Sequence, residues 1–233
     1  MNKQNVIVED LGKMDYKLAW DYQEKLLQEN VKIKSEADGK PAATKNYLLF
    51  VEHPAVYTLG KSGNMENVLM NEQQLDEKGI QFFRTNRGGD ITFHGEQQIV
   101  GYPILDLEKF YTDIGKYLRS LEEVIILTLK EYGITGERSK GETGVWIQPT
   151  VAGKERKICA LGVRTSRWIT MHGFALNVNT DLSYFNNIVP CGIQNKQVSS
   201  IEKELGQKID FEEVKEKVKN NFAKVFDVDF ILQ

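Results

Sequence analysis

Residues 87–95 read Arg87-Gly88-Gly89-Asp90-Ile91-Thr92-Phe93-His94-Gly95. Nine positions hold an arginine, a glycine pair, a threonine, one of only three histidines and a further glycine. A glycine pair lets the backbone turn tightly and lets a ligand approach it closely. The stretch lies between residues 80–85 and 99–105, both of strand character. It reads either as a β-hairpin turn carrying a surface histidine or as a binding loop whose polar side chains face a ligand. These nine residues alone do not separate the two.

Working outward, residues 6–8 are short and β-branched, a first strand. Leu18, Tyr22 and Leu26 recur at i+4, joined by Ala19 and Leu27, which predicts a helix over 15–28. Residues 32–45 are polar and read as a loop. Residues 47–51 and 56–59 are apolar strand runs. Asn71 with Gln74 forms a capping-box signature ahead of a short helix that Gly79 ends. In the strand 99–105, Pro103 argues for an edge position or a bulge. The longest helical pattern spans 112–132, with Tyr117, Leu118, Leu121, Val124, Ile125 and Thr128 as its stripe. Residues 144–147, 157–164, 168–171 and 173–178 are strand-like, the last two as a hairpin-like set. Asp210 and Glu213 signal a capping box for a final helix lined by Phe211, Val214, Val218, Phe222 and Val225. A strand over 228–232 follows. No repeat, low-complexity tract or linker divides the chain, which reads as one α+β domain over 1–233: a mixed β-sheet core with packed helices.

A net charge of −3 and a pI near 5.8 argue against a protein that coats nucleic acid or an anionic membrane. No apolar run is long enough to span a bilayer, and residues 1–6 lack the apolar stretch of a secretory signal. The two cysteines, Cys159 and Cys191, read as free thiols of a reducing, cytoplasmic setting. No His-x-x-x-His or Cys-x-x-Cys pair suggests a metal, and neither G-x-x-x-x-G-K-[ST] nor G-x-G-x-x-G is present, so ATP use has no motif to rest on.

Cys159 lies within an apolar strand run and reads as a small core residue. Cys191 sits between Pro190 and Gly192 in an irregular stretch, either an incidental loop cysteine or a reactive thiol. A nucleophilic cysteine needs a neighbouring cation, because a free thiol is only a few percent ionised at about pH 7. The candidates are Lys157, His94, His172, Arg87 and Arg164, and spacing does not choose among them. Lys157 opens an apolar strand, yet also belongs to the charged run 154–157, which on its own reads as a solvated face. His94 and His172 each precede a glycine at the end of a strand-like run, as two loops approaching one pocket would.

Taken together, residues 47–200 resemble the octanoyltransferases of lipoate biosynthesis. Five blocks occur in that family's order. R-G-G-x-x-T-[FY]-H-G is matched by residues 87–95 and G-Y-P-I-x-D-L by 101–107. K-I-x-x-[IL]-G-[VIL]-R is matched by 157–164, H-G-[FL]-A-L-N-V by 172–178, and P-C-G-I by 190–193. The segment 52–60, beginning Glu52-His53-Pro54, is also similar. Where the family has Pro and Gly after the first His-Gly, this chain has Glu96 and Gln97.

The resemblance implies a biotin/lipoate protein ligase-like catalytic domain with a cysteine/lysine pair. Cys191 would be the acyl-thioester nucleophile and Lys157 its partner. Substrate binding would fall to Arg87, Gly88, Gly89, Asp90, Ile91, Thr92, Phe93 and His94, to Ala160, Leu161 and Gly162, and to Gly173, Phe174 and Ala175. The implied donor is octanoyl on an acyl carrier protein. The implied acceptors are apo lipoyl domains of 2-oxoacid dehydrogenases and the glycine cleavage H protein. A donor that is already a thioester needs no cofactor. An ATP-dependent lipoate-protein ligase, an octanoyl amidotransferase and a non-catalytic acyl-binding module are the alternatives. Lys154, Arg156, Arg164 and Arg167 are expected to form a basic patch for an acidic carrier.

Overall fold

A computed structural model describes residues 3–38, 40–189 and 197–231. In chain order the elements are β1 (Gln4–Lys13), α1 (Tyr16–Glu36), β2 (Asn46–Glu52), β3 (Val56–Leu59), α2 (Glu72–Glu77), β4 (Gln81–Arg84), β5 (Ile91–His94) and β6 (Gln98–Ile104). They continue with α3 (Ile114–Lys130), β7 (Val145–Ile147), β8 (Arg156–Ser166), β9 (Ile169–Asn177), β10 (Gln197–Val198), α4 (Ile201–Leu205), α5 (Phe211–Phe226) and β11 (Val228–Ile231). The main sheet runs β10-β8-β9-β6-β2-β1-β11, with β7 also on β8, and β4-β3-β5 form a second, three-stranded sheet. This is the mixed-sheet α+β architecture the sequence predicts.

Strand alternation builds three layers. Val6, Leu48, Phe50, Ile99, Phe174 and Leu176 face one core together with α3 and α5. Their neighbours Ile7, Leu49, Val51, Val100 and Ala175 face the opposite core, under α1. Successive strand residues point to opposite faces, so continuous apolar runs such as 47–51 belong to strands covered on both sides. The C-terminal segment joins the first of these cores: α5 packs on α3, and β11 pairs with β1 in parallel.

Several elements depart from the sequence reading. Helix α1 runs on to Glu36 because residues 25–36 are rich in good helix formers and carry the i,i+4 pairs Lys25–Glu29 and Lys32–Glu36. Its buried face is Tyr16, Ala19, Gln23, Leu26, Leu27 and Asn30, while Leu18 is 60% exposed. A strict i+4 series drifts by about 40° per step on a helix of 3.6 residues per turn, so Leu18 and Leu26 do not share a face. Pro103 lies neither on an edge strand nor at a bulge, since β6 is an inner strand and its register with β2 is unbroken. The β6–β9 ladder ends at Gly101↔Phe174, and Pro103 stands just beyond it, where no β9 bond needs its missing N–H. The expected hairpin-like pair 168–171 and 173–178 is a single strand, β9. The hairpin is β8–β9, turning on Arg167 and Trp168 with φ of +48° and +66°. Two left-handed residues are what a type I′ turn requires, usually supplied by Asn-Gly. Asp210 caps α5 by accepting from Glu213 N at 2.9 Å, but Glu213 turns outward to Tyr132 and Lys217, so the box is half formed. The Asn71/Gln74 box is complete.

The topology also resolves the opening stretch. β4 and β5 do not pair with each other; both pair with β3, one parallel and one antiparallel. Residues 85–90 therefore cross the end of β3 as a connection and do not form a hairpin turn.

Candidate active site

A cavity of about 280 Å³ is bounded by residues from the small sheet and from β6, β8 and β9 of the main sheet. Its first wall is the crossing segment with the start of β5: Arg87, Gly89, Asp90, Ile91, Thr92 and His94. Facing it are Ala160, Leu161 and Gly162 on β8 and Gly173, Phe174 and Ala175 on β9. These two triplets are direct cross-strand partners, Ala160↔Ala175, Leu161↔Phe174 and Gly162↔Gly173. Glycine is required at Gly173 by the close approach of β6: a Cβ there would stand 2.1 Å from Gly101 O.

Arg87 is buried, and its guanidinium clasps the backbone. Nη2 donates to Thr58 O (2.6 Å), Thr58 Oγ1 (3.0 Å) and Asp90 O (2.8 Å), and Nη1 donates to Gly88 O (3.0 Å). From Thr58 a hydrogen-bonded chain runs inward. Thr58 Oγ1 lies 3.3 Å from His94 Nε2, and His94 Nδ1 lies 2.9 Å from Gln98 Oε1. Gln98 Nε2 donates to Phe93 O and to Asn177 Oδ1, and Asn177 Nδ2 donates to Ser199 O. Since Gln98 presents its oxygen to the ring, His94 Nδ1 carries the proton and Nε2 is free to accept from Thr58. The chain thus ties the first wall to β9 and to Ser199, which follows β10.

All three histidines are buried in one aromatic cluster around this chain. Tyr16 stacks on His94 at 5.9 Å and meets His53 edge-on at 5.3 Å. His53 donates from Nδ1 to Met14 O and accepts from Tyr102 Oη, while Trp20 and Tyr102 flank His172. Burial lowers the basicity of each ring. His53 is brought down to about 4, His172 to about 3 with Arg87 and Arg164 adding repulsion, and His94 falls well below its usual range with His53 and Arg87 contributing. The three rings are therefore neutral at pH 7.

Lys157 lies in the cavity lining at the start of β8. It has two ladder partners, antiparallel Trp146 and parallel Val198. Cys159, two residues on, is wholly buried, and desolvation pushes its thiol well above the usual range, which makes it an inert core residue as expected. Cys191 lies outside the described residues, with the rest of 190–196. Gln197 and Val198, which follow that segment, line the cavity, as does Phe185 before it.

Of the sequence-derived binding residues, Gly88 and Phe93 are not in the lining. Gly88 N donates to Val163 O at 2.9 Å, fastening the crossing segment to β8 from behind. Phe93 turns into the core of the small sheet, stacked on Tyr184 at 4.6 Å. Sequence reasoning missed Tyr16, Tyr102, Gln98, Asn177 and Trp146, all in the lining. Asn177 sits inside the quoted H-G-F-A-L-N-V block, and a polar residue ending an apolar strand was a usable signal. Tyr16 and Trp146 carried none beyond being aromatic.

Glu96 and Gln97 form the link from β5 to β6. Glu96 pairs with Lys13. Gln97 takes φ +60°, the left-handed backbone that a glycine adopts freely, and its carbonyl accepts from Val178 N, Asn179 N and Thr180 Oγ1. The link is therefore anchored despite the exchange. The expected basic patch is not one surface. Lys154 and Arg156 lie at the first end of β8 and Arg164 and Arg167 towards the other. Arg156 is held by Glu204 (2.6 Å) and Arg164 by Glu24 (2.8 Å).

Comparison with known proteins agrees with this architecture. Residues 15–223 match the family model "Lipoyl protein ligase A/B catalytic domain". The chain is 60% identical over 234 residues to an octanoyltransferase of Flavobacterium psychrophilum, covering 99% of this chain and 100% of that one. It is 59% identical over 236 residues to an octanoyltransferase of Christiangramia forsetii, covering both chains fully. Among solved structures, a bi-partite lipoate protein ligase of Thermoplasma acidophilum superposes with a TM-score of 0.70 at 17% identity, covering 100% of this chain and 87% of that one, a likeness of fold. No helix among the described residues is long and apolar enough to cross a membrane. With the fold, the cavity and these matches in agreement, the chain belongs to the lipoyl protein ligase A/B catalytic domain family.

Proposed function

We propose that this chain is an octanoyltransferase of lipoate biosynthesis, moving octanoyl from the thioester of an acyl carrier protein to the lysine of an apo lipoyl domain. The observation that carries the reading is the position of Lys157, near the start of β8, in the lining of a cavity that Arg87, Asp90, Thr92 and His94 also line. The near-complete match to octanoyltransferases at about 60% identity supports the same acyl group. The lipoate ligase of similar fold belongs to a lipoylation system with its E2 lipoyl domain, which supports lipoyl domains as acceptors. In this reading residues 1–233 act as one catalytic domain in the cytoplasm, without a cofactor.

The cavity residues divide the work. Leu161, Phe174 and Ala175 receive the acyl chain, burying apolar surface worth about 0.8 kcal/mol per CH₂. The Arg87 clasp keeps the first wall in shape. Cys191 attacks the thioester carbonyl as a thiolate, and the carrier's thiol leaves with a proton relayed by the Lys157 ammonium. The acceptor amine then attacks the acyl-cysteine carbonyl, Cys191 leaves as thiolate, and the amine's proton returns to Lys157. With the histidines neutral, this reading gives the acid–base role to Lys157 in the cavity lining. Val198, the ladder partner of Lys157, follows Cys191 by seven residues, a separation compatible with their meeting.

Intact-mass analysis after mixing with octanoyl carrier protein and no acceptor tests this. The expected result is one octanoyl adduct on Cys191, lost in Cys191→Ser and strongly reduced in Lys157→Ala. An adduct on Cys159, or none, would overturn the mechanism. Lipoate-dependent ATP/pyrophosphate exchange would indicate a ligase instead. An adduct loaded only from an octanoylated protein would indicate an amidotransferase, and ligand binding with no transfer would indicate an acyl-binding module.

A further inference from the structure

We infer that Trp146 is a positioning residue for Lys157, its indole face holding the lysine ammonium at the cavity wall. The inference rests on the role just given to Lys157 and adds what fixes that side chain. Lysine carries a flexible four-carbon stem and loses considerable rotamer freedom when held in one place. Here the restraints are visible on both sides. Trp146 is the antiparallel ladder partner of Lys157, so the two side chains rise from the same face of the β7–β8 pair. Lys157 Nζ lies 4.6 Å from the Trp146 ring centroid, within the range at which a cation is attracted to the negative face of an indole.

The ring cannot easily tilt away. Trp146 is 2% exposed, and its backbone exchanges two hydrogen bonds with Glu137, at 2.8 and 2.9 Å. The stem of Lys157 passes Gly144, whose missing Cβ would stand 3.4 Å from Lys157 Cε and 2.7 Å from Cys159 O. Gly144 is itself pinned, since its N–H donates at 3.0 Å to the fully buried carboxylate of Glu122. Ring, stem channel and anchor together place Nζ at the cavity and limit its swing. A tryptophan serving only as core filler needs none of this alignment, and a smaller apolar residue of adequate volume would replace it.

Stepwise fluorination of the indole at position 146, by site-specific incorporation, separates the two roles, because it drains the ring's negative face while keeping its shape. The expected result is a graded fall in kcat, reaching roughly three- to thirtyfold at the highest fluorination, the span of measured cation–π energies. KM for donor and acceptor and the melting temperature should stay unchanged. Trp146→Phe should retain more kcat than Trp146→Leu. In parallel, the rate of Lys157 acetylation by acetic anhydride at fixed pH, read on its peptide by mass spectrometry, should rise in the fluorinated and Leu forms. In an active enzyme, a kcat indifferent to fluorination overturns the inference. If the native chain proves unable to transfer octanoyl, the functional reading fails, and the acetylation rate alone decides: a rise supports the indole platform and an unchanged rate overturns it.

Discussion

Gln98 and Asn177 are direct partners in the β6–β9 ladder, and the Gln98 amide donates to Asn177 Oδ1 at 2.8 Å. The same amide receives His94 Nδ1 at 2.9 Å, so one glutamine fixes the histidine of the first wall to the main sheet. Replacing it should strand several buried partners at once. Gln98→Leu leaves His94 Nδ1, Phe93 O and Asn177 Oδ1 without their partner, and each orphaned buried group costs about 1–3 kcal/mol. Urea unfolding should show a loss of about 3 kcal/mol or more. A loss under about 1 kcal/mol would show that the site relaxes around the change.

The buried histidines make the fold acid-sensitive. Their folded-state affinity for protons is lowered, to about 4 for His53 and about 3 for His172, whereas unfolded histidines protonate near about 6.5. The unfolded chain therefore binds more protons between these values. The stability from neutral burial is complete above about pH 6.5 and is lost as pH falls towards the folded values. His53 alone accounts for roughly 3 kcal/mol across that window. Unfolding free energies measured at pH 7, 5.5 and 4.5 should fall steeply, with carboxylate titration adding only in the lowest part.

Glu122 is a wholly buried carboxylate in α3 that accepts from Arg119 (2.7 Å), Arg138 (3.1 Å) and Gly144 N (3.0 Å). Both arginines are more than a third exposed, so their loss is softened by solvent. The loss at Gly144 is not softened. Glu122→Ala is expected to cost about 2–3 kcal/mol, from one orphaned N–H and the cavity left behind. Glu122→Gln, which keeps an oxygen for Gly144, should cost less. Thermal unfolding of the two variants side by side checks the ranking, and equal melting temperatures would refute it.

A methyl group at position 173 should be intolerable. Gly173→Ala would place a carbon 2.1 Å from Gly101 O, forcing β6 and β9 apart along the cavity floor. Overpacking of this kind costs about 1–3 kcal/mol and sometimes more. Here it also deforms the site, so expression of soluble protein and octanoyl loading should both fall. Gly153→Ala, at a surface turn with nothing within 4 Å but φ +75°, serves as the control and should cost about 1 kcal/mol without touching activity.

The strands with continuous apolar runs and the capped helices were legible because burial and capping leave local marks. Tyr47 to Val51 and the Asn71/Gln74 box are examples. The cavity blocks around residues 87, 160 and 173 were legible through their resemblance to a family, but their meeting was not. That the two β-strand triplets face each other follows from a hairpin turning on Arg167 and Trp168, residues with no turn signature in sequence. The binding-loop reading of residues 87–90 depended on β4 and β5 both choosing β3, a long-range outcome. Arg87 shows the limit most clearly. Its type suggested a ligand contact, and three backbone carbonyls account for much of its guanidinium. Trp146 could be placed beside Lys157 only once the β7–β8 register was known.

The parallel ladder between β1 and β11 joins Gln4 to Val228, partners 224 positions apart in sequence. Closing so long a loop is entropically costly and slows folding relative to local contacts. During synthesis the outer edge of β1 stays open until residues 228–231 have left the ribosome, while α5 has to find α3 across the 80 positions between Lys130 and Phe211. The nascent chain thus carries an exposed strand edge from the emergence of β1 until that of β11. Its yield should depend on growth temperature and chaperone supply more than the stability of the finished fold would suggest.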